Sequence, residues 1–230
     1  MNEPLPGEDS APLRVDFAGG WLDVPKFARP GEFIVNCAIS PLVTLQDWGY
    51  ERESGLGGSG AWSWLNRRNG VAFDLASGAG WQDPAVIFET GLCVWRSGPR
   101  PSLEFKSDGA LLRGRLALYW TGKPHVTANL VDQPRNLDAI AAAGRLARAA
   151  VRQESKMEFD YYLHRALHLT LKNQLAEGMA PLPSRPGVVG MKYCGSGHGG
   201  YAVYVFNTAA GRDVTVRDDE RWCAVEPYCL

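Results

Sequence analysis

No run in this chain approaches the roughly 18–20 consecutive apolar residues that a membrane-spanning helix requires, so no membrane partner is expected. Charge of one sign is missing as well. The 24 Lys and Arg stand against 25 Asp and Glu, a net charge of −1, which offers nucleic acid no basic field. Cysteine is scarce and scattered: Cys37, Cys93, Cys194, Cys223 and Cys229 are odd in number and include no CxxC pair. That excludes a disulfide framework and agrees with a reducing compartment. Cys37 and Cys93 lie in apolar runs and are expected to be buried and inert. His198 with Cys223 and Cys229 lacks zinc-site spacing. His164 and His168 sit four apart on an expected helix without the Glu of an HExxH motif, and read as a partly exposed pair. The GxxxxGK[ST] phosphate loop is absent. Met1 to Ser10 is acidic and proline-bearing, unlike a signal peptide, and reads as the short mobile leader of a cytoplasmic protein.

What the chain does have is glycine gathered into loops. One is Ser54-Gly55-Leu56-Gly57-Gly58-Ser59-Gly60-Ala61, and another is Lys192-Tyr193-Cys194-Gly195-Ser196-Gly197-His198-Gly199-Gly200. Loops so poor in Cβ atoms let backbone N–H groups approach an anion, and a following helix adds its unpaired first-turn N–H groups and dipole. Between them lies Gly78-Ala79-Gly80-Trp81-Gln82-Asp83-Pro84, a tight turn presenting a carboxylate. Phosphate cradle and positioned carboxylate together suggest phosphoryl transfer. Both glycine loops match GxGxxG by spacing, but that dinucleotide fingerprint needs an apolar strand before it and a helix after it. Gly55 follows the polar Tyr50–Glu53 stretch and Gly200 precedes a strand, so the Rossmann reading fails at both.

The 230 residues fit one large domain or two small ones. Strands are expected at Arg14–Phe17 and from Phe33 past Pro41 to Leu45, then at Cys93–Trp95, Ser102–Lys106 and Arg115–Trp120. Further strands are expected at Val188–Cys194, Tyr201–Phe206 and Trp222–Val225. Helices are expected from Gly60 to about Asn69, over Asp83–Leu92 with Pro84 in the first turn, over the alanine-rich Leu137–Val151, and over Glu158–Met179. Hairpin-like links rather than regular βα repeats make the class α+β. A boundary near Gly109 divides the chain into residues 11–108 and 109–230. Trp62 and Trp64 read as packing residues beside the first loop. Arg145, Arg148 and Arg152 read as a solvated basic helix face.

The order of these motifs resembles the GHMP superfamily of small-molecule kinases, closest to its fucokinase and heptose 7-phosphate kinase branch. Leu13-Arg14-Val15-Asp16-Phe17-Ala18-Gly19-Gly20-Trp21-Leu22-Asp23-Val24-Pro25 is similar to the family's first motif, and Gly55–Ala61 to its GLGSSSA phosphate loop. Gly78–Asp83 resembles the segment carrying the catalytic aspartate, Leu116–Lys123 the strand and TGK turn, and Gly190–Gly200 the third motif. The chain departs from the pattern in five places, one being that the usual Mg²⁺-binding glutamate before the aspartate has no clear match, Asp74 being the nearest acidic residue. Gly58-Ser59-Gly60 keeps one hydroxyl of the usual three, His198 replaces a glycine, and Pro84 replaces a glutamine. Only about 30 residues separate the first motif from the phosphate loop, where the family has several dozen more that help to build an adenine pocket.

The resemblance implies an N-terminal domain of the ribosomal S5 domain 2 type, a ferredoxin-like C-terminal domain, ATP and Mg²⁺. In the implied roles, Gly55, Leu56, Gly57, Gly58, Ser59 and Gly60 form the phosphate-binding loop, and Ser59 and Asp74 hold the metal. Asp83 acts at the acceptor hydroxyl, with Arg14 by the transferred phosphoryl group. Asp23, Gly19, Gly20, Gly195, Gly197 and Gly199 contact the substrate. The expected function is a kinase acting on a free sugar, at the anomeric hydroxyl. The alternative is an inactive sugar- or nucleotide-binding protein of the same fold. Arg14, Asp23, Ser59 and Asp83 together favour the enzyme, since a binding module needs neither base nor metal hydroxyl. The partners expected are the sugar and the nucleotide.

Overall fold

The computed structural model describes residues 9–51, 53–124 and 134–230, so most of the expected leader lies outside the described residues. The first strand, β1 (Ala11–Ala18), is buried along its whole length, and its two faces do different work. Alternation along a strand sends Leu13, Val15 and Phe17 into the main core, while Arg14 and Asp16 share the opposite face. β1 pairs antiparallel with β2 (Phe33–Val43), Leu13 opposite Ile39 and Val15 opposite Cys37. The other edge of β2 carries two partners, one at each end. Phe33–Cys37 meets β3 (Leu92–Arg96), and Ile39 and Ser40 meet β8 (Trp222–Pro227). With β4 (Leu103–Ser107), β5 (Leu116–Trp120), β6 (Val188–Tyr193) and β7 (Tyr201–Phe206), the sheet has eight strands in the order β4-β3-β2-β8-β5-β7-β6, with β1 on the free side of β2.

Two long helices, α4 (Leu137–Val151) and α5 (Lys156–Ala176), cover the core face of this sheet. Ala143, Ala147, Leu163 and Leu167 pack there with Val35, Leu116, Leu118 and Val203. Asn136 starts α4 by accepting the Ala139 N–H at 3.0 Å. The arginine face of α4 is solvated as the sequence suggested, Arg145 and Arg152 keeping 53% and 42% of their side chains exposed, but its three guanidinium groups are also paired. Arg145 pairs with Glu32, while Arg148 (2.5 Å) and Arg152 (2.7 Å) converge on Glu104 of β4. Those carboxylates sit close enough to the helix to draw the guanidinium groups down onto the sheet edge.

Three short helices build the other side: α1 (Gly58–Leu65), α2 (Gly70–Ala76) and α3 (Gln82–Glu89). α2 and α6 (Ala209–Asp218) were not legible from hydrophobic spacing; each is fixed by an N-cap, Asn69 accepting Ala72 N–H and Thr208 accepting Gly211 N–H. The class is α+β, as expected. Cys37 and Cys93 are buried thiols, pushed up by burial. Among the described residues no helix is long and apolar enough to cross a membrane.

Candidate active site

The first glycine loop bends around β1. Leu56 accepts the Arg14 N–H through its carbonyl (3.0 Å) and buries its side chain in the core, so it anchors the loop rather than facing a ligand. Gly57 then turns the chain into α1 at φ +76°, and a Cβ there would lie 2.9 Å from Arg14 Cγ. Both the backbone sign and the close approach require glycine. No side chain caps α1, so its first turn at Gly58 and Ser59 faces a cleft of about 990 Å³.

Arg14 organises the mouth of that cleft. Its Nε donates to Asp83 Oδ1 at 2.6 Å and its Nη2 to Asp83 Oδ2 at 2.8 Å, a bidentate pair. Its Nη1 donates to Gly55 O at 2.6 Å and reaches Asp16 Oδ1 at 3.3 Å. Burial opposes the Arg14 charge, but Asp83 and Asp16 override it and hold the guanidinium protonated above its ordinary range. One side chain thus ties together the first strand, the glycine loop and the carboxylate of α3.

Ser59 Oγ donates to Asp74 Oδ2 at 3.5 Å, so the two expected metal ligands do meet. Burial, and then the nearby charge of Asp83, push the Asp74 carboxyl up to about 7. Among the described residues no three acidic, histidine or cysteine side chains converge to hold an ion alone. A hydroxyl and one carboxylate beside a phosphate-binding turn nevertheless suit Mg²⁺, which takes few protein ligands and shares substrate phosphates.

Asp23 lines the cleft but turns its carboxylate onto α3, accepting from Gln82 N at 3.1 Å and Gln82 Nε2 at 3.2 Å. Burial and the Asp83 charge raise it to about 7. Gly20 borders the cleft, whereas Gly19 packs under Phe33 O, where any side chain would collide. Of the third-motif glycines only Gly195 lines the cleft, with Ser196. Gly197 packs on Met179, and Gly199 on the carbonyls of Lys123 and Pro124, so these two act through packing. The tryptophan reading holds for Trp64, which packs edge-on against Phe88, but not for Trp62, which opens onto the cleft.

Two residues of this assembly carry no local sequence signature of a site. Asp16 and Lys192 form a buried ion pair, Lys192 Nζ also donates to Asp16 O at 3.0 Å, and the Gly195 N–H donates to Asp16 Oδ1 at 2.9 Å. A charged residue in an apolar strand beside Arg14 was the available signal.

No protein-family profile and no curated protein matches the sequence. Solved structures do match in fold. Mevalonate kinase of Methanococcus jannaschii superposes with a TM-score of 0.67 at 12% identity, covering 97% of this chain and 100% of that one. Phosphomevalonate kinase of Streptococcus pneumoniae, in complex with phosphomevalonate and AMPPNP, gives 0.64 at 14% identity, covering 95% and 99%. The D-glycero-D-manno-heptose 1-phosphate kinase of Bacteroides thetaiotaomicron gives 0.60 at 14% identity, covering 95% of each chain. This chain has the fold of these small-molecule kinases, the GHMP fold.

Proposed function

We propose that this protein is a cytoplasmic GHMP-superfamily kinase that transfers the terminal phosphoryl group of Mg·ATP to the anomeric hydroxyl of a free sugar. The observation that carries the reading is the bidentate Arg14–Asp83 pair beside the uncapped turn of Gly58 and Ser59. Phosphoryl transfer needs little covalent chemistry from a protein. It needs the two reactants held in line and the charge on the moving group stabilised. The first-turn amides of α1 and the helix dipole supply a seat for phosphate oxygens. Arg14 fixes the orientation of Asp83, whose remaining lone pairs are available to the acceptor hydroxyl as its oxygen bonds to phosphorus and the bond to the leaving diphosphate breaks. Mg²⁺, held by Ser59 and Asp74, would offset charge on the phosphate oxygens. The sugar and its anomeric position are supported by the resemblance of Gly19–Asp23 and Gly80–Asp83 to the fucokinase and heptose-kinase branch, and by the fold shared with a heptose kinase.

Single-turnover assays of Asp83→Asn test the assignment. Turnover is expected to vanish while nucleotide affinity stays nearly unchanged, because this carboxylate serves the transition state. Turnover within a few-fold of wild type would remove Asp83 from the mechanism.

A further inference from the structure

A smaller chamber of about 40 Å³ adjoins the cleft. Gly20, Trp21, Gly195 and Ser196 line both, so the two spaces meet along that wall. Asp16 lines the chamber, and the Arg14 guanidinium that reaches Asp16 at 3.3 Å also grips Asp83. One guanidinium therefore separates the reacting carboxylate from the chamber, within the reach of a single sugar ring.

Trp21 stands at this wall against its own backbone preference. Its φ of +80° lies in the left-handed region that bulky side chains rarely enter. Such an outlier points to function when its surroundings hold it in place. Here the Arg135 guanidinium lies 3.5 Å over the centre of the indole, and Phe27 meets the ring edge-on at 6.3 Å.

The lining suits a carbon that bears a hydroxyl. Ile140 and Met179 give the chamber an apolar side. On the other, Asn173 and Glu177 stand one turn apart on α5, Asn173 Nδ2 donating to Glu177 Oε1 at 2.8 Å. That leaves Asn173 Oδ1 and the second oxygen of Glu177 to accept from a ligand hydroxyl. The neighbouring polar groups are committed elsewhere. Gln174 bonds the Tyr193 backbone through both ends of its amide at 3.0 Å, and Lys192 pairs with Asp16. Size narrows the choice further. At roughly 10–15 Å³ for each water-sized atom, the chamber admits about three. A hydroxymethyl group fits, whereas a phosphoryl group on that oxygen would overfill the space. Charge agrees, since the carboxylates Asp16 and Glu177 outnumber the ammonium of Lys192 in the lining.

We propose that this chamber seats the far end of the acceptor as a hydroxymethyl group, and that Asn173 and Glu177 select it over a methyl or a phosphorylated end. The proposal rests on the reading of the cleft as that of a sugar kinase. A methyl end would leave the two acceptors facing an apolar group, and a site built to bond a hydroxyl discriminates strongly against its absence.

Steady-state kinetics with matched free sugars tests this, each ring being offered with a hydroxymethyl, a methyl or a phosphorylated end beside Mg·ATP. The hydroxymethyl sugar should exceed both relatives in kcat/KM by about 10²-fold or more. Asn173→Ala and Glu177→Gln should each raise its KM by about tenfold, change kcat less, and narrow its advantage over the methyl sugar. Turnover of a methyl or phosphorylated sugar within a few-fold of the hydroxymethyl one, or a preference that survives both substitutions, would overturn the chamber's role and leave the kinase reading standing. If the wild type neither turns over any of these sugars nor binds one in calorimetry, both readings fall.

Discussion

Lys192 and Asp16 join strands at opposite limits of the sheet: β6 pairs only with β7 and β1 only with β2 among the described strands, yet their side chains form an ion pair that is almost wholly buried, at 1% and 3% exposure. Burial works against the Asp16 charge, but Lys192 and Arg14 overcome it and hold the carboxyl below its usual range. The pair thereby fixes the second glycine loop, through the Gly195 N–H, to the strand that carries Arg14.

Breaking this pair from one side strands a buried charge. Lys192→Met is expected to lower stability by about 3–5 kcal/mol in urea unfolding, and the double change with Asp16→Asn to regain much of it. A loss below about 0.5 kcal/mol for the single variant, the scale of an ordinary surface change, would show that the pair is not structural.

Much of the site was legible from sequence because its parts are local. A strand with Arg14 at a polar register position, a glycine loop entering a helix and a carboxylate at a glycine turn each announce themselves within a dozen residues. Lys192 and Asp16 are 176 positions apart, and no local pattern joins them. The helix α2 was missed because Gly70-Val71-Ala72-Phe73-Asp74-Leu75-Ala76 is barely two turns long, with a glycine at its start. Gly197 and Gly199 were legible as glycines but not as packing positions, since what excludes a side chain there is Met179 in one case and the Lys123–Pro124 turn in the other.

Arg14→Lys keeps the positive charge but loses the planar fork that grips both oxygens of Asp83. Turnover should fall roughly 10²-fold, in line with loss of one preorganised charge-stabilising group. Steady-state assays that find turnover within a few-fold of wild type would show that charge alone suffices.

Ser59 is the sole hydroxyl in its turn, with Gly58 and Gly60 on either side. Ser59→Ala should weaken Mg·nucleotide binding and lower turnover by roughly 10²-fold or more. Magnesium-dependent binding indifferent to the change would place the metal elsewhere.

Asp23 makes stability depend on pH. Its native carboxyl titrates at about 7, against 3.8 ordinarily, because burial and the Asp83 charge favour the neutral form. Between those values the folded state keeps a proton that the unfolded state has released, so this contribution is complete below the lower value and is lost as pH rises through the higher. A protonated Asp23 also has a ready acceptor in Gln82 Oε1, which is buried and without a partner, once that amide turns over. Asp23→Asn should therefore flatten the decline in stability between about pH 4 and pH 7. Parallel curves for the two proteins in urea titrations would rule out Asp23 as the source.

The most direct measurement is phosphorus NMR of the products formed when the purified protein is given Mg·ATP and a panel of free reducing sugars, including 6-deoxyhexoses and heptoses, beside mevalonate and other non-sugar alcohols. A sugar 1-phosphate is expected to appear with ADP, and neither product with Asp83→Asn. A phosphate on a primary hydroxyl, activity confined to non-sugar alcohols, or nucleotide bound without any transfer would contradict the proposed function.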